Sequence, residues 1–395
     1  MRIAALELTT VSVPYTHREN SSQVNRDGVT DVVVRIVTDD GSVGWGESCS
    51  GANVESVYEA LRAFEPLLLG RNPWNREALW HDCYRRGIWN FREPTFNFAW
   101  AGVDMALWDL CGKAAGQPIY NLLGGLRRTR VSYFWYLPTG DLSVLEEECR
   151  RGVAAGFEIF YIKTGIDIER EVEALRIIRQ AIGPDRKIRI DANEAWSVAE
   201  AARNLRRLDQ YGVDFAEQPV PADPVENMIE LKQKTDVLLA ANEGLWRVAD
   251  AWEVITRRAC DVLCFSPYWV GSIGHFHRLS CVAALQGMRV CKHTHGELGI
   301  AAAAGQQVLL TLPRIVEGHQ QTATMMADDI LTEPIPIARQ PHWGVPSPPG
   351  LGIEVDPDKL ARYHENYRRI GQYRPYRIEN LASEDPAWRS ARPPS

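Results

Sequence analysis

Polar residues close successive apolar runs at nearly even spacing: Lys163, Asp191, Glu217, Glu243, Ser266, His293 and Glu317. From Lys163 onward the intervals are 28, 26, 26, 23, 27 and 24 residues. Asp191, Glu217 and Glu243 therefore put three carboxylates on three consecutive units. An oxygen-loving divalent cation relieves their repulsion in a partly dry cavity, and Mg²⁺ is the first choice because it keeps positions open for water or substrate oxygens. Any one of these acids alone would more often cap a helix or pair with an arginine; the series of three points to a metal.

Lys163 alone would more often reach solvent from a strand end. Beside a cation it is driven toward its neutral form and becomes a usable general base. His293 lies across the ring of units, where a second proton-transfer group would address the other face of a substrate. His295, in "CKHTHGE", competes with it for that role. Asn193 either caps the helix after Asp191 or stands beside the metal. Glu317 either bonds a developing anion or forms a salt bridge.

The elements that carry these residues are legible in "YIKTGIDIEREVEALRIIRQAIGPDRKIRIDANEAW", residues 161 to 196. Ile168, Val172, Leu175, Ile178 and Ile182 recur at helical spacing between two apolar runs, and Gly183-Pro184 closes the segment. Repetition of this strand–helix unit, beginning with a strand that ends near Tyr136, predicts an α/β fold: eight parallel strands in a TIM-type barrel over residues 126–355. Chemistry in such barrels is done at the carboxyl ends of the strands, where the polar series lies. Residues 1–125 read as a separate α+β unit, with a hairpin at Asp39-Asp40-Gly41 and a helix in "FAWAGVDMALWDLCGKAAG" stopped by Gly116 and Pro118. Residues 356–395 carry one helical pattern and a polar tail.

A net charge of −7 spread along 395 residues, with no basic tract, argues against nucleic acid as a partner. No apolar run reaches membrane-spanning length, and the start lacks a basic segment followed by an apolar core, so a cytoplasmic protein is expected. The eight cysteines include no C-x-x-C pair and lie mostly in apolar runs, as buried reduced thiols do.

The segments "AGVDMALWDLCGKAAGQPIYNLLGG", "IDANEAW", "FAEQP", "NEG" and "VGSIG", in that order, resemble the enolase superfamily, in particular its mandelate racemase and muconate lactonizing enzyme branches. The resemblance spans nearly the whole chain. It implies a modified barrel of seven βα units and a final strand, with a capping domain to which the C-terminal segment returns. It implies Mg²⁺ on Asp191, Glu217 and Glu243, abstraction of the proton α to a small-molecule carboxylate, and a homo-oligomer. Glu317 would act as a protonated acid opposite the lysine, and Glu297 matches a family position that favours His293 over His295. Two departures stand out: Tyr161 replaces the usual helper lysine, and Ser266 replaces the aspartate that orients the histidine or the lysine base of the muconate branch. Substrate contacts are expected from the polar stretch holding His17, Arg18 and Asn20, and from Trp246, Tyr268 and Trp269. The expected reaction is dehydration of an acid sugar, with a racemase or epimerase as runner-up and a metal- and acid-binding sensor as a third reading.

Overall fold

The computed structural model describes residues 1–22, 25–49, 53–87 and 89–373. Strands β1 (Ile3–Asn20), β2 (Asn25–Thr38) and β3 (Val43–Cys49) form an antiparallel sheet, and the turn between β2 and β3 places Gly41 at φ 82°. Helices α1 (Val54–Leu68), α2 (Arg76–Arg86), α3 (Thr95–Ala114) and α4 (Ile119–Leu122) follow. Every residue of α3 from Phe96 to Gly112 is buried. The helix lies directly on β3, because Gly46 lets the strand approach the Gly102 carbonyl where any side chain would collide.

The chain then runs through β4 (Val131–Ser132), β5 (Trp135–Tyr136), α5 (Leu145–Ala154), β6 (Ile159–Lys163), α6 (Ile168–Ile182), β7 (Lys187–Asp191), α7 (Val198–Leu208), β8 (Val213–Glu217), α8 (Glu226–Lys232) and β9 (Leu239–Ala241). It continues with α9 (Val248–Thr256), β10 (Val262–Phe265), α10 (Ile273–Leu285), β11 (Arg289–Lys292) and α11 (Gly299–Leu309). Strands β5 to β11 make one parallel sheet in sequential order. Residues 315–320 close it: Val316 and Gln320 donate to the carbonyls of Val290 and Lys292, while His319 exchanges bonds with Ser132 and Phe134 on the other side. The fold is thus a modified barrel with an α+β cap. Helix α6 matches its periodicity, opened by the Asp167 side chain on the Glu169 and Arg170 amides and ended by Gly183 at φ 80°. After β12 (His342–Trp343), helix α12 (Pro357–Ile370) packs on β1, where His364 meets the Thr10 carbonyl at 2.8 Å and Asn366 donates to the Ser12 carbonyl at 2.8 Å. The tail beyond residue 373 lies outside the described residues.

The cap is bolted to the barrel by buried acids at helix N-termini, where backbone amides point outward. Glu47 accepts from the amides of Leu298 (2.7 Å) and Ala301 (3.0 Å) at the start of α11, and Asp104 accepts from Ile273 (2.7 Å) at the start of α10. Burial pushes the Asp104 carboxyl up to about 7. A folded-state value above the unfolded one means its contribution to stability is complete below the unfolded value and is lost as pH rises toward 7. At about 1.4 kcal/mol per unit, the cost is a few kcal/mol. Asp104→Asn, whose amide oxygen keeps the acceptor, is therefore expected to flatten the pH dependence of denaturant stability between pH 4 and 8; a variant that tracks the parent over that range would contradict the assignment.

The eight cysteines are free thiols, seven of them buried. No helix among the described residues is long and apolar enough to cross a membrane.

Candidate active site

Four of the expected residues converge through one amide. Asn193, held at φ 45° just past β7, accepts from Lys163 Nζ (2.9 Å) with its side-chain oxygen and donates to Glu243 Oε1 (3.0 Å) with its side-chain nitrogen; its backbone N–H meets Asp191 Oδ1 at 2.8 Å. Asn193 thus stands beside the acids. Lys163, at the end of β6, donates to Asp191 Oδ2 at 2.6 Å, and the Tyr161 hydroxyl donates to the same oxygen at 2.6 Å. Where the resemblance calls for a second lysine, this chain presents a neutral donor to an acid. Asp191 and Glu217 are partners in register on β7 and β8, and Glu243 lies just beyond β9.

The three acids carry more charge than their surroundings compensate. Glu217 Oε1 and Glu243 Oε2 are buried without a hydrogen-bond partner. Burial, then the neighbouring Asp191, raises Glu217 well above the usual carboxylate range and pushes Glu243 up to about 8. Orphaned carboxylate oxygens and oxygen-only donors fit a hard divalent cation. A second acidic group, Asp31, Glu47 and Cys49, lies at the seam with the cap. Both Glu47 oxygens there are taken by α11 amides, which accounts for that acid structurally.

Glu317 does not belong to the mouth. The closing strand alternates, with Val316 in the apolar cluster inside the barrel and Gln320 donating to Glu217 Oε2, so Glu317 faces the other way and is exposed. Gln320 is the residue this strand delivers, a donor that fixes one oxygen of Glu217 and leaves the other open.

Across the mouth His293 is buried between the Tyr268 hydroxyl, 3.4 Å from Nδ1, and the edge of Trp269, whose ring centre is 4.4 Å away. Burial, followed by the charges of His295, Lys163, Lys292 and Arg26, holds His293 well below the usual histidine range. Ser266, just past the end of β10, is buried with its hydroxyl against that of Tyr268. Glu297 is spent on Lys292: the two form a fully enclosed ion pair behind the histidine. His295 contacts Arg26 through its carbonyl (2.9 Å) and Nδ1 (3.5 Å), and burial lowers it to about 3. Trp246 stacks on Trp269 at 3.6 Å, with Phe98 of the cap against it at 5.6 Å.

The cap contributes residues beyond those expected. Arg18 pairs with Asp27 at 2.8 Å and Asn20 donates to the Thr139 carbonyl at 3.2 Å; both line a cavity of about 460 Å³ that Lys163 also lines. His17 meets Thr16 at 3.2 Å, and the charges that act on it are Glu148 and Arg151 of α5 and Glu19 of β1. The residues facing the mouth are Glu19 and Arg26, a buried pair at 2.5 Å. Tyr136 donates to Glu19 at 3.2 Å, and the charge of Glu19 acts on Lys163.

The capped barrel thus brings acids to successive strand ends, with a lysine and a histidine on either side of them. The chain belongs to the enolase superfamily: the model for the mandelate racemase / muconate lactonizing enzyme N-terminal domain matches residues 6–124, and that for the enolase C-terminal domain-like unit matches residues 144–359. It is 32% identical over 347 residues, 84% of this chain and 90% of the other, to the arabinonate dehydratase of Saccharolobus solfataricus. It is 28% identical to the N-succinyl-L-Arg/Lys racemase of Bacillus cereus, over 91% of this chain and 97% of that one. A crystal structure from Streptomyces coelicolor described as an enolase and putative sugar isomerase superposes with a TM-score of 0.84 at 30% identity, covering 94% of this chain and 99% of its own.

Proposed function

We propose that this protein removes the proton α to a carboxylate with Mg²⁺ held by Asp191, Glu217 and Glu243, and that its net reaction is dehydration of an acid sugar. The observation that carries the reading is the polar character of the mouth between Lys163 and His293. Glu19, Arg26, Asn193 and His295 surround it, and the buried hydroxyls of Tyr15 and Thr322 lie against each other nearby. Such a surround suits a chain of hydroxyl groups, whose donors and acceptors would otherwise be stripped of water at a cost. The similarity to an arabinonate dehydratase supports the same class.

When bound, the cation would offset the charge of Asp191 and Glu217, which together with Glu19 keeps Lys163 an ammonium ion, and would stabilise negative charge building on the substrate carboxylate. Lys163 Nζ takes the α-proton. The electron pair released becomes the Cα–Cβ double bond as the β-carbon–oxygen bond breaks, and His293 gives a proton to the departing oxygen, which leaves as water. The enol tautomerises to a 2-keto-3-deoxy acid. A histidine held low is a stronger acid once protonated, which suits the expulsion of a poor leaving group.

The depressed His293 also favours a second reading, epimerisation, in which the neutral ring takes a proton from one face while Lys163 returns one to the other. The two readings separate on product. With acid sugars and Mg²⁺, dehydration predicts a 2-keto-3-deoxy product. Inversion at the α-carbon without loss of water would sink the dehydratase in favour of the epimerase.

A further inference from the structure

We propose that Tyr268 is the positioning residue for His293: its hydroxyl accepts the Nδ1–H, so that Nε2 is the nitrogen that trades protons with substrate. The inference rests on the proton-transfer role given to His293 above. The strand that would supply an orienting carboxylate ends instead in Ser266, whose buried hydroxyl lies against that of Tyr268. Two residues on, the fully buried Tyr268 turns back over the histidine. Its hydroxyl oxygen lies 3.4 Å from His293 Nδ1 and 3.4 Å from the His293 carbonyl oxygen.

A phenol has one hydrogen to give. If it donated to an unprotonated Nδ1, the carbonyl contact would set two acceptors against each other. If it donates to the carbonyl and accepts from Nδ1–H, both contacts become hydrogen bonds. In a site closed to water the second arrangement is the stable one, because a buried contact between unpaired acceptors costs free energy with nothing in return. Nε2 then carries the lone pair, and it makes no hydrogen bond among the described residues. Trp269, edge-on at 4.4 Å, limits rotation of the ring.

This arrangement separates two tasks that a carboxylate would perform together. A carboxylate fixes the ring and also stabilises its cation; the phenol fixes the ring without adding a charge. Behind it Lys292 and Glu297 form an enclosed ion pair.

The test is ¹⁵N NMR of the full-length, histidine-labelled protein with Mg²⁺, the His293 signals assigned by their loss in His293→Asn. The expected result is a neutral ring with the proton on Nδ1. In Tyr268→Phe that preference should be lost, and kcat should fall roughly 10-fold or more with KM nearly unchanged, while the thermal melt and Mg²⁺ affinity hold. A proton on Nε2 in the parent overturns the proposal, as does a Tyr268→Phe variant that keeps both tautomer and kcat. If the variant fails to fold, the parent spectrum alone decides. If the parent turns over no acid, the dehydratase reading fails while the tautomer still reports on Tyr268.

Discussion

Lys163→Ala is expected to lower turnover by roughly 10³-fold or more, the range lost with a positioned general base. The side chain is buried at the end of β6, bonded to Asp191 and Asn193, with no other lysine on its strand. Mg²⁺ affinity should be retained or strengthened, because removing the ammonium leaves Asp191 free to act as a ligand. Single-turnover kinetics together with calorimetric Mg²⁺ titration checks both halves. A variant that keeps a tenth of the parental rate would remove Lys163 from the chemistry, and one that loses Mg²⁺ binding would make it structural. Ligand binding in a parent that turns nothing over would favour the sensor reading.

Glu217→Gln should have the second large effect, with opposite signs in the two states of the metal site. Glu217 is raised well above the carboxylate range, so its ionisation opposes folding as pH rises through that value. An amide does not titrate, so the metal-free variant is expected to be more stable than the parent at pH 8. The parent should gain stability with Mg²⁺ by mass action, whereas the variant should gain little and lose activity. The loss of affinity should exceed the roughly 10- to 100-fold typical of removing an outer hydrogen-bond partner. Thermal melts of both proteins with and without Mg²⁺ read all four values. A Glu217→Gln protein stabilised by Mg²⁺ as strongly as its parent would remove this residue from the ligand set.

The barrel and its acids were legible because each unit repeats the same physics. An apolar run must end where the sheet meets solvent, and Lys163, Asp191, Glu217 and His293 mark those ends at a regular period. Glu317 broke the reading by one step of parity: its strand continues to Gln320, and a register judged one residue out turns a side chain to the opposite face. Glu19 and Arg26 were missed for another reason. They reach the mouth from a hairpin more than a hundred residues before most of the barrel, and no local pattern states which part of a cap lies over it. The same applies to Tyr268 as a partner of His293: the sequence showed that the aspartate was absent, and only packing showed what had taken its place.

The central claim is metal-assisted removal of an α-proton, and its most direct test is proton NMR of the parent protein with sugar acids in D₂O, with Mg²⁺ and after its removal. The α-proton signal of at least one acid is expected to disappear, by exchange or with elimination, only when Mg²⁺ is present. Retention of every α-proton by a protein shown to bind Mg²⁺, or exchange that proceeds equally without the metal, would contradict it.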